Sequence, residues 1–203
     1  MDTKWDRLLD LYIEIDEDPR WNHLRTSGIR LVKGDGRETA ETARIMIVGE
    51  APGANENGQG RPFVGASGRV LNDLLAAARL DRSKVFITNV LKYRPPGNRT
   101  PSTLEGLHGQ EELRREWTIL RPTLTIAVGA TAHWVLRGSL LSLSYTPHAE
   151  FALFGKGQPY TYITSMYHPA YGLRNEKMRL PIEAEWVRLG EMIDEACPEV
   201  RDV

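Results

Sequence analysis

Four side chains that could do chemistry stand at the ends of short apolar runs or in the loops that follow them. Glu50 follows the run "RIMIVG", where a carboxylate could order a ligand or a water molecule. Phe63 lies in the Gly- and Pro-rich stretch "GEAPGANENGQGRPFVGASG" and could stack on a planar ligand. Asn89 offers an amide donor and acceptor together, and His168 offers a ring nitrogen. Together these groups describe a pocket for a flipped pyrimidine base.

Each of the four residues also has a structural interpretation that the sequence leaves open. Glu50 could cap neighbouring backbone amides, and Phe63 could anchor the core from its loop. Asn89 could turn a strand into a loop, and His168 could be a hydrogen-bonded structural residue. The other four histidines show no ligand spacing and there is one cysteine, so no metal site is predicted.

The glycine-rich stretch does not match two common phosphate-binding motifs. It lacks the Gly-Lys-Ser/Thr ending of a P-loop and the closely spaced glycines of a dinucleotide-binding turn. The small residues of "GATA" (129–132) are a better candidate, because a helix beginning there would present free N–H groups to a phosphate. The same small residues could also merely permit close packing.

Short apolar runs alternate with helical patterns along the chain. Strands are predicted at residues 44–49, 84–90, 123–129 and 160–166. Helices are predicted at residues 5–16, 67–80 (with Ser67 as N-cap), 103–121 and 181–196, and another begins at "ATAHWVLRG". The inward face of the helix at 103–121 is predicted to be Leu104, Leu107, Leu113, Trp117 and Leu120.

This alternation predicts an α/β fold, a three-layer α/β/α sandwich with a central, mainly parallel four-stranded sheet. We expect one domain of residues 1–203, in which residues 1–40 form an N-terminal helix and arm. The carboxyl ends of parallel strands meet at one edge, where ligands bind in folds of this class. The four segments that follow the strands, "GEAPGANENGQGRPFVG", "NVLKYRPPGNR", "GATAHW" and "YHPAYGLRN", are therefore expected to form one site.

Charge is distributed unevenly along the chain. The net charge is −1, yet residues 61–101 carry eight Lys or Arg and two Asp, a net +6 against −7 for the rest. Such a patch favours nucleic acid or phosphate over a membrane, with a solvated charged surface as the alternative. The single cysteine, the acidic N-terminal segment and the lack of an apolar run of roughly 20 residues predict a cytoplasmic protein with no membrane partner.

Four blocks resemble the uracil-DNA glycosylase superfamily, most closely its family 4, the class usually built around an iron–sulfur cluster. They are "VGEAPGANENGQGRPFVGASGRVLNDLL", "ITNVLKYRPPGNRTP", "LRPTLTIAVGATA" and "YHPAYGLRN", in the same order as in the family. The resemblance implies a monomeric, monofunctional DNA glycosylase. Such an enzyme hydrolyses the N-glycosidic bond of uracil in DNA, releases free uracil and leaves an abasic site for base excision repair.

The resemblance also implies roles for individual residues. Phe63 would stack on the base, Asn89 would read its Watson–Crick edge, His168 would hydrogen-bond a base carbonyl, and Glu50 would orient the attacking water. Glu56 falls on an acidic position and is a possible active-site acid. The residues expected to line the uracil pocket are Gly49, Glu50, Ala51, Phe63, Asn89 and His168. The residues expected to contact DNA are Pro52, Gly53, Arg61, Lys92, Arg94, Arg99, Gly129, Ala130, Thr131, Tyr171, Leu173 and Arg174.

The chain departs from the family at the cysteines that bind the cluster. One pair would fall near Pro19 and Asn22, the third on Tyr93 and the fourth near Gly109, and none of these is a cysteine. Cys197 matches no cluster position. The resemblance therefore implies a relative with no cofactor, in which side-chain packing replaces the cluster.

The last motif departs as well. The family's wedge leucine, which fills the space that a flipped base leaves, is Gly172 here, flanked by Tyr171 and Leu173.

Two other functions stay open. One is the processing of modified pyrimidines on the same fold, and the other is non-catalytic binding of uracil-containing DNA.

Overall fold

The structure, a computed structural model, describes residues 2–137, 152–154 and 161–201. Short 3-10 turns, among them Arg82–Lys84, join the longer elements. In chain order the helices are α1 (Lys4–Glu17), α2 (Ala54–Gln59), α3 (Ala66–Ala77), α4 (Thr103–Leu120), α5 (Ala130–Arg137), α6 (Pro169–Arg174) and α7 (Arg179–Ala196). The strands are β1 (Ile45–Gly49), β2 (Val85–Asn89), β3 (Leu124–Val128), β4 (Ala152–Phe154) and β5 (Thr161–Met166).

Four parallel strands form the sheet in the order β2-β1-β3-β5, and the short β4 pairs antiparallel with β5 at the edge. The four predicted strands are confirmed to within one residue at each end. β4 is an addition to the prediction, since three residues are too few to show a periodic pattern.

Helices cover both faces of the sheet. In β1, Ile45 and Ile47 pack into the core on the α3 and α7 side, whereas Met46 and Val48 pack into the core on the α1 and α4 side. All five residues of β1 are buried, as expected for a parallel strand with helices on both faces. The predicted α/β/α sandwich is confirmed. No helix in the described part of the chain is both long and apolar enough to cross a bilayer.

The N-terminal segment covers the outer edge of β2. α1 starts with a capping box in which Thr3 and Asp6 bond each other's backbone amides. The arm that follows runs beside β2. The amide of Val32 donates to the Lys92 carbonyl at 2.8 Å, and Asp35 and Ile87 exchange hydrogen bonds of 2.8 and 2.9 Å. These bonds satisfy an edge that would otherwise be open to pairing with another chain.

Two details of the helix predictions are wrong. α3 begins at residue 66 with Gly65 as its N-cap, so Ser67 lies inside the helix. In α4, Leu104 and Leu107 are 62% and 43% exposed, although they were predicted to face inward. The buried side of α4 is instead partly polar, and its buried carboxylates are those of Glu105, Glu112 and Glu116.

Candidate active site

The carboxyl edge of the sheet brings Gly49, Asn89 and Phe63 together. The parallel register pairs Gly49 with Asn89, each the last residue of its strand. A Cβ atom at position 49 would lie 2.6 Å from the Phe63 ring and would overlap the Asn89 side chain, so only glycine fits there. Asn89 and Phe63 are 4% and 7% exposed. The Asn89 amide and the Phe63 ring therefore lie side by side on one wall of the candidate site.

His168 lies beside Phe63, two residues beyond β5. The two ring centroids are 6.0 Å apart and the planes are inclined by 31°. The Ala170 amide donates to His168 Nδ1 at 3.1 Å, so a neutral ring carries its proton on Nε2. Burial, with a smaller contribution from Arg174, lowers the pKa of His168 to about 4. At pH 7 the ring is therefore neutral and has one N–H to donate.

Glu50 connects the end of β1 to the start of α5. The hydroxyl of Thr131 donates to Glu50 Oε2 at 2.5 Å, and the Leu91 amide donates to the Glu50 carbonyl at 3.1 Å. These bonds fix both the carboxylate and its backbone. A carboxylate held in this way can orient a water molecule and take up its proton. Because the Thr131 hydroxyl is used here, a DNA phosphate would have to contact Thr131 through its backbone.

Glu56 holds the loop that carries Phe63. Its Oε1 accepts from the amides of Val64 at 2.9 Å and Gly65 at 2.8 Å, and its Oε2 accepts from the Gly53 amide at 3.1 Å. Both oxygens are occupied by backbone donors. We therefore interpret Glu56 as a residue that shapes the loop rather than as an active-site acid.

Lys92 does not reach the surface, so the predicted contact with DNA is wrong. Its side chain is fully buried, and Nζ donates to Glu116 Oε2 at 2.7 Å, to the Thr88 hydroxyl at 2.8 Å and to the Asn89 carbonyl at 2.6 Å. The hydroxyl of Tyr12 donates to the other Glu116 oxygen at 2.5 Å. A buried ammonium requires such an ion pair and hydrogen bonds. Lys92 thus belongs to the support beneath Asn89.

The arginines expected to contact DNA already have protein partners. Arg61 pairs with Asp35 at 2.9 Å and lines a surface cavity of about 540 Å³ that reaches the start of β2. Arg99 makes two hydrogen bonds of 2.7 Å to Glu105 at the start of α4. Both remain partly exposed. Of the other residues expected to contact DNA, Ala130 and Arg174 are exposed, Gly53 and Arg94 are half-buried, and Pro52 and Gly129 are buried. Ala51, which was expected to line the uracil pocket, is half-buried.

The exposed residues of α6 flank the position expected for a wedge. Tyr171 and Leu173 are 40% and 54% exposed, and the Tyr171 ring stacks on Tyr167 at 5.5 Å. A Cβ atom on Gly172 would instead meet Ile182 of α7 at 3.5 Å. Side chains at 171 and 173 are therefore accessible from outside, whereas position 172 faces the protein.

The positions where the family's cluster cysteines would fall do not fit a thiolate-bound cluster. Tyr93 is buried and donates its hydroxyl to Asp16 at 2.6 Å. A Cβ atom on Gly109 would lie 2.7 Å from the Val90 carbonyl oxygen, so a cysteine would not fit there without a backbone shift. Trp21 is fully buried with its ring 6.2 Å from that of Tyr93. Among the described residues, no group of three or more His, Cys, Asp or Glu could hold a metal ion.

Comparisons with known proteins find related sequences over most of the chain. The profile of the Uracil DNA glycosylase superfamily matches residues 37–189. The Type-4 uracil-DNA glycosylase of Archaeoglobus fulgidus is 35% identical over 179 residues, which cover 84% of this chain and 86% of the relative. The enzyme of the same name from Sulfurisphaera tokodaii is 35% identical over a match that covers 79% of this chain and 74% of the relative. That of Thermotoga maritima is 36% identical over 68% of this chain and 70% of its own.

Proposed function

Since this chain belongs to the uracil-DNA glycosylase superfamily, we propose that it hydrolyses the N-glycosidic bond of uracil in DNA and releases free uracil. The observation that carries the proposal is the convergence of Phe63, Asn89, His168 and Glu50 at one edge of the sheet. The relatives named Type-4 uracil-DNA glycosylase support the same activity.

Recognition of the base follows from the chemistry of the wall around Gly49. The Phe63 ring offers a stacking surface, a contact worth roughly 1–3 kcal/mol per base in other proteins. The Asn89 amide can accept from uracil N3–H and donate to uracil O4. Cytosine presents an acceptor at N3 and a donor at N4, so the same amide orientation would face two mismatched groups. Gly49, which has no side chain, leaves the space that the Asn89 amide and the Phe63 ring occupy side by side.

Bond cleavage depends on where charge develops. The electrons of the C1′–N1 bond move to the uracil ring, which becomes an anion, while positive charge forms on the sugar. The neutral His168 donates its Nε2–H to the uracil carbonyl oxygen and stabilises that anion. Removing such a donor costs roughly 2.7–4 kcal/mol in other enzymes. A water molecule ordered by Glu50 attacks C1′, and its proton leaves through the carboxylate.

The DNA must deliver the base to this edge of the sheet. A base inside a duplex cannot reach Asn89, so it has to leave the stack. Tyr171 and Leu173 are exposed next to His168 and are our candidates for filling the vacated space.

The proposal further includes a single domain, a monomer and a cytoplasmic location. The last is supported by a lone, buried Cys197, which suits a reducing compartment.

The test is a cleavage assay with labelled oligonucleotides that carry uracil, hypoxanthine, xanthine or ethenocytosine, followed by alkali to cut abasic sites. We expect cleavage at uracil by the wild type and a loss of at least 100-fold in His168→Ala, which removes the donor to the leaving base. Release of a modified pyrimidine with no action on uracil would favour the first alternative function. Tight binding to uracil-containing DNA without turnover would favour the second.

A further inference from the structure

Phe63, the ring proposed to stack on uracil, has a backbone conformation that phenylalanine rarely adopts. Its φ angle is +52°, in the left-handed region. A residue with a Cβ atom is sterically disfavoured there, and such residues persist where the surrounding structure holds them. The contacts that hold this turn therefore decide where the ring lies.

Arg82 holds the turn from its carbonyl side. Its Nη2 donates to the carbonyl oxygens of Pro62 at 3.2 Å and Phe63 at 3.3 Å. Its Nη1 donates to Asn72 Oδ1 at 2.9 Å, which ties the guanidinium to α3. One half-buried side chain thus joins two successive carbonyls of the turn to the helix that follows it.

Gly68 shows how closely the turn lies on α3. A Cβ atom at position 68 would overlap the carbonyl group of Phe63, so the turn rests directly on the helix backbone. Glu56 holds the amides of Val64 and Gly65 on the other side. The backbone on both sides of Phe63 is therefore bonded to a charged side chain.

We propose that Arg82 is a positioning residue for Phe63, which holds the left-handed turn that presents the ring to the base; this inference rests on the proposed function. A guanidinium is a planar fork that can donate to three acceptors in fixed directions, whereas a lysine ammonium is a point charge on a flexible stem. Replacing Arg82 by Lys therefore keeps the charge and loses the geometry. The Lys variant therefore distinguishes positioning of the turn, which needs the guanidinium geometry, from attraction of DNA, which needs only a positive charge.

The activity test compares Arg82→Gln, Arg82→Lys and the matched control Lys84→Gln, which removes a positive charge from the same short turn. The assay measures kcat on single-stranded uracil DNA and the inhibition constant of free uracil. We expect both Arg82 variants to lose roughly 10- to 100-fold in kcat and in uracil affinity, the usual worth of hydrogen bonds to a charged group. Lys84→Gln should match the wild type. Wild-type values in Arg82→Lys would overturn the proposal, because charge alone would then suffice.

A second measurement reports the position of the Phe63 ring without relying on catalysis. The Phe63 and His168 ring centroids are 6.0 Å apart, so the ring protons of the two residues should share a nuclear Overhauser cross-peak. We expect this cross-peak to weaken in both Arg82 variants and to keep its intensity in Lys84→Gln. A lower unfolding midpoint with an unchanged cross-peak and unchanged uracil inhibition would overturn the proposal in favour of a merely structural role. If the wild type releases no uracil, the proposed function fails, while a weakened or unchanged cross-peak still supports or overturns the link between Arg82 and the ring.

Discussion

The imidazole of His168 is kept as a neutral donor by its immediate neighbours. The ring lies half-buried beside Phe63, and its Nδ1 already accepts a hydrogen bond from Ala170. Burial disfavours the charged form, and the nearby Arg174 acts in the same direction on the pKa. The site thus offers the leaving base a fixed hydrogen bond, and this bond does not depend on protonation of the ring near pH 7.

The first prediction concerns this protonation state. Because the pKa of His168 is lowered to about 4, its NMR titration should have a midpoint near pH 4, and uracil release should show no step around pH 6.5. The measurement is a ¹H–¹³C titration of the five histidines, assigned with His168→Gln, beside a pH profile of kcat/KM. A midpoint near 6.5 with a matching step in activity would show that the imidazolium takes part.

The second prediction concerns Asn89. Asn89→Asp replaces the amide donor with a carboxylate oxygen, so uracil O4 would face an acceptor. The activation free energy of uracil release should rise by roughly 1–3 kcal/mol or more, which is the cost of leaving a buried partner without a hydrogen bond. Single-turnover rates on uracil and cytosine substrates measure the loss and any gain on cytosine. Wild-type rates in Asn89→Ala would mean that another residue reads the base.

Single residues also show where sequence reasoning reaches its limit. Glu50, Phe63, Asn89 and His168 were predicted from residue type and position near strand ends, and the structure places them at one edge of the sheet. Lys92 was predicted to be a surface residue because it stands in a polar, basic segment. Its carboxylate partner, Glu116, lies on α4, far along the chain, and no local pattern could reveal that the ammonium is buried.

At the scale of elements, α6 carries the side chains that we propose to fill the duplex after the base has flipped. This short helix starts directly after His168 and exposes Tyr171 and Leu173. The Tyr171 ring is already stacked on Tyr167. Leu173 is the more exposed of the two and is our choice for the side chain that replaces the flipped base.

The third prediction tests this choice. Flipping costs a few kcal/mol in a duplex and least in a single strand or a mispair, so Leu173→Ala should lower the rate on U·A pairs most, on U·G mispairs less and on single strands least. Rates on the three substrates are the measurement, and Gly172→Leu is the control. Because position 172 faces Ile182, that control should bring no selective gain on U·A pairs. A selective loss in Tyr171→Ala instead would identify Tyr171 as the wedge.

The accuracy of the element predictions depended on length and burial. Five-residue apolar strands and the long amphipathic helices have enough residues to show a period. The six-residue helices α2 and α6 lie within loops rich in Gly and Pro and gave no such signal. The period of α4 was misread because carboxylates occupy part of its inner face, where Glu116 pairs with Lys92 and Glu112 meets Trp21.

At the scale of the whole molecule, an aromatic core stands where family members usually hold a cluster. Trp21 from the N-terminal arm packs against Tyr93, and His108 of α4 meets the Trp21 ring edge-on with centroids 5.9 Å apart. These contacts join the arm, the loop after β2 and α4. Packing of large rings thus connects segments that are distant in sequence.

The fourth prediction follows from this replacement. Purified protein should bind less than one iron per chain and show no absorbance near about 400 nm, where thiolate-bound iron–sulfur clusters absorb. Iron analysis by mass spectrometry, alongside uracil release by the same sample, is the measurement. One or more equivalents of iron per chain would contradict the interpretation of the aromatic core.

The fifth prediction weighs two buried tryptophans against each other. Both Trp21 and Trp186 are fully buried, but only the Trp21 indole donates to a carboxylate, that of Glu112, whereas Trp186 Nε1 has no partner among the described residues. Trp21→Phe should therefore lower the free energy of unfolding by about 1–3 kcal/mol more than Trp186→Phe, because it leaves the Glu112 carboxyl group unpartnered. Denaturant unfolding of the two variants provides the comparison.

The pH dependence of this difference tests the mechanism itself. Burial raises the pKa of Glu112 to about 7, so the folded wild type loses stability as pH rises from about 4.5 to 7, where the unfolded chain has already released the proton. Removing the indole donor raises the folded-state pKa of Glu112 further, and the loss in Trp21→Phe then continues above pH 7. The gap between the two variants should thus be wider at pH 8.5 than at pH 6. An equal gap at both values would mean that Trp21 stabilises the fold by packing alone and not through Glu112.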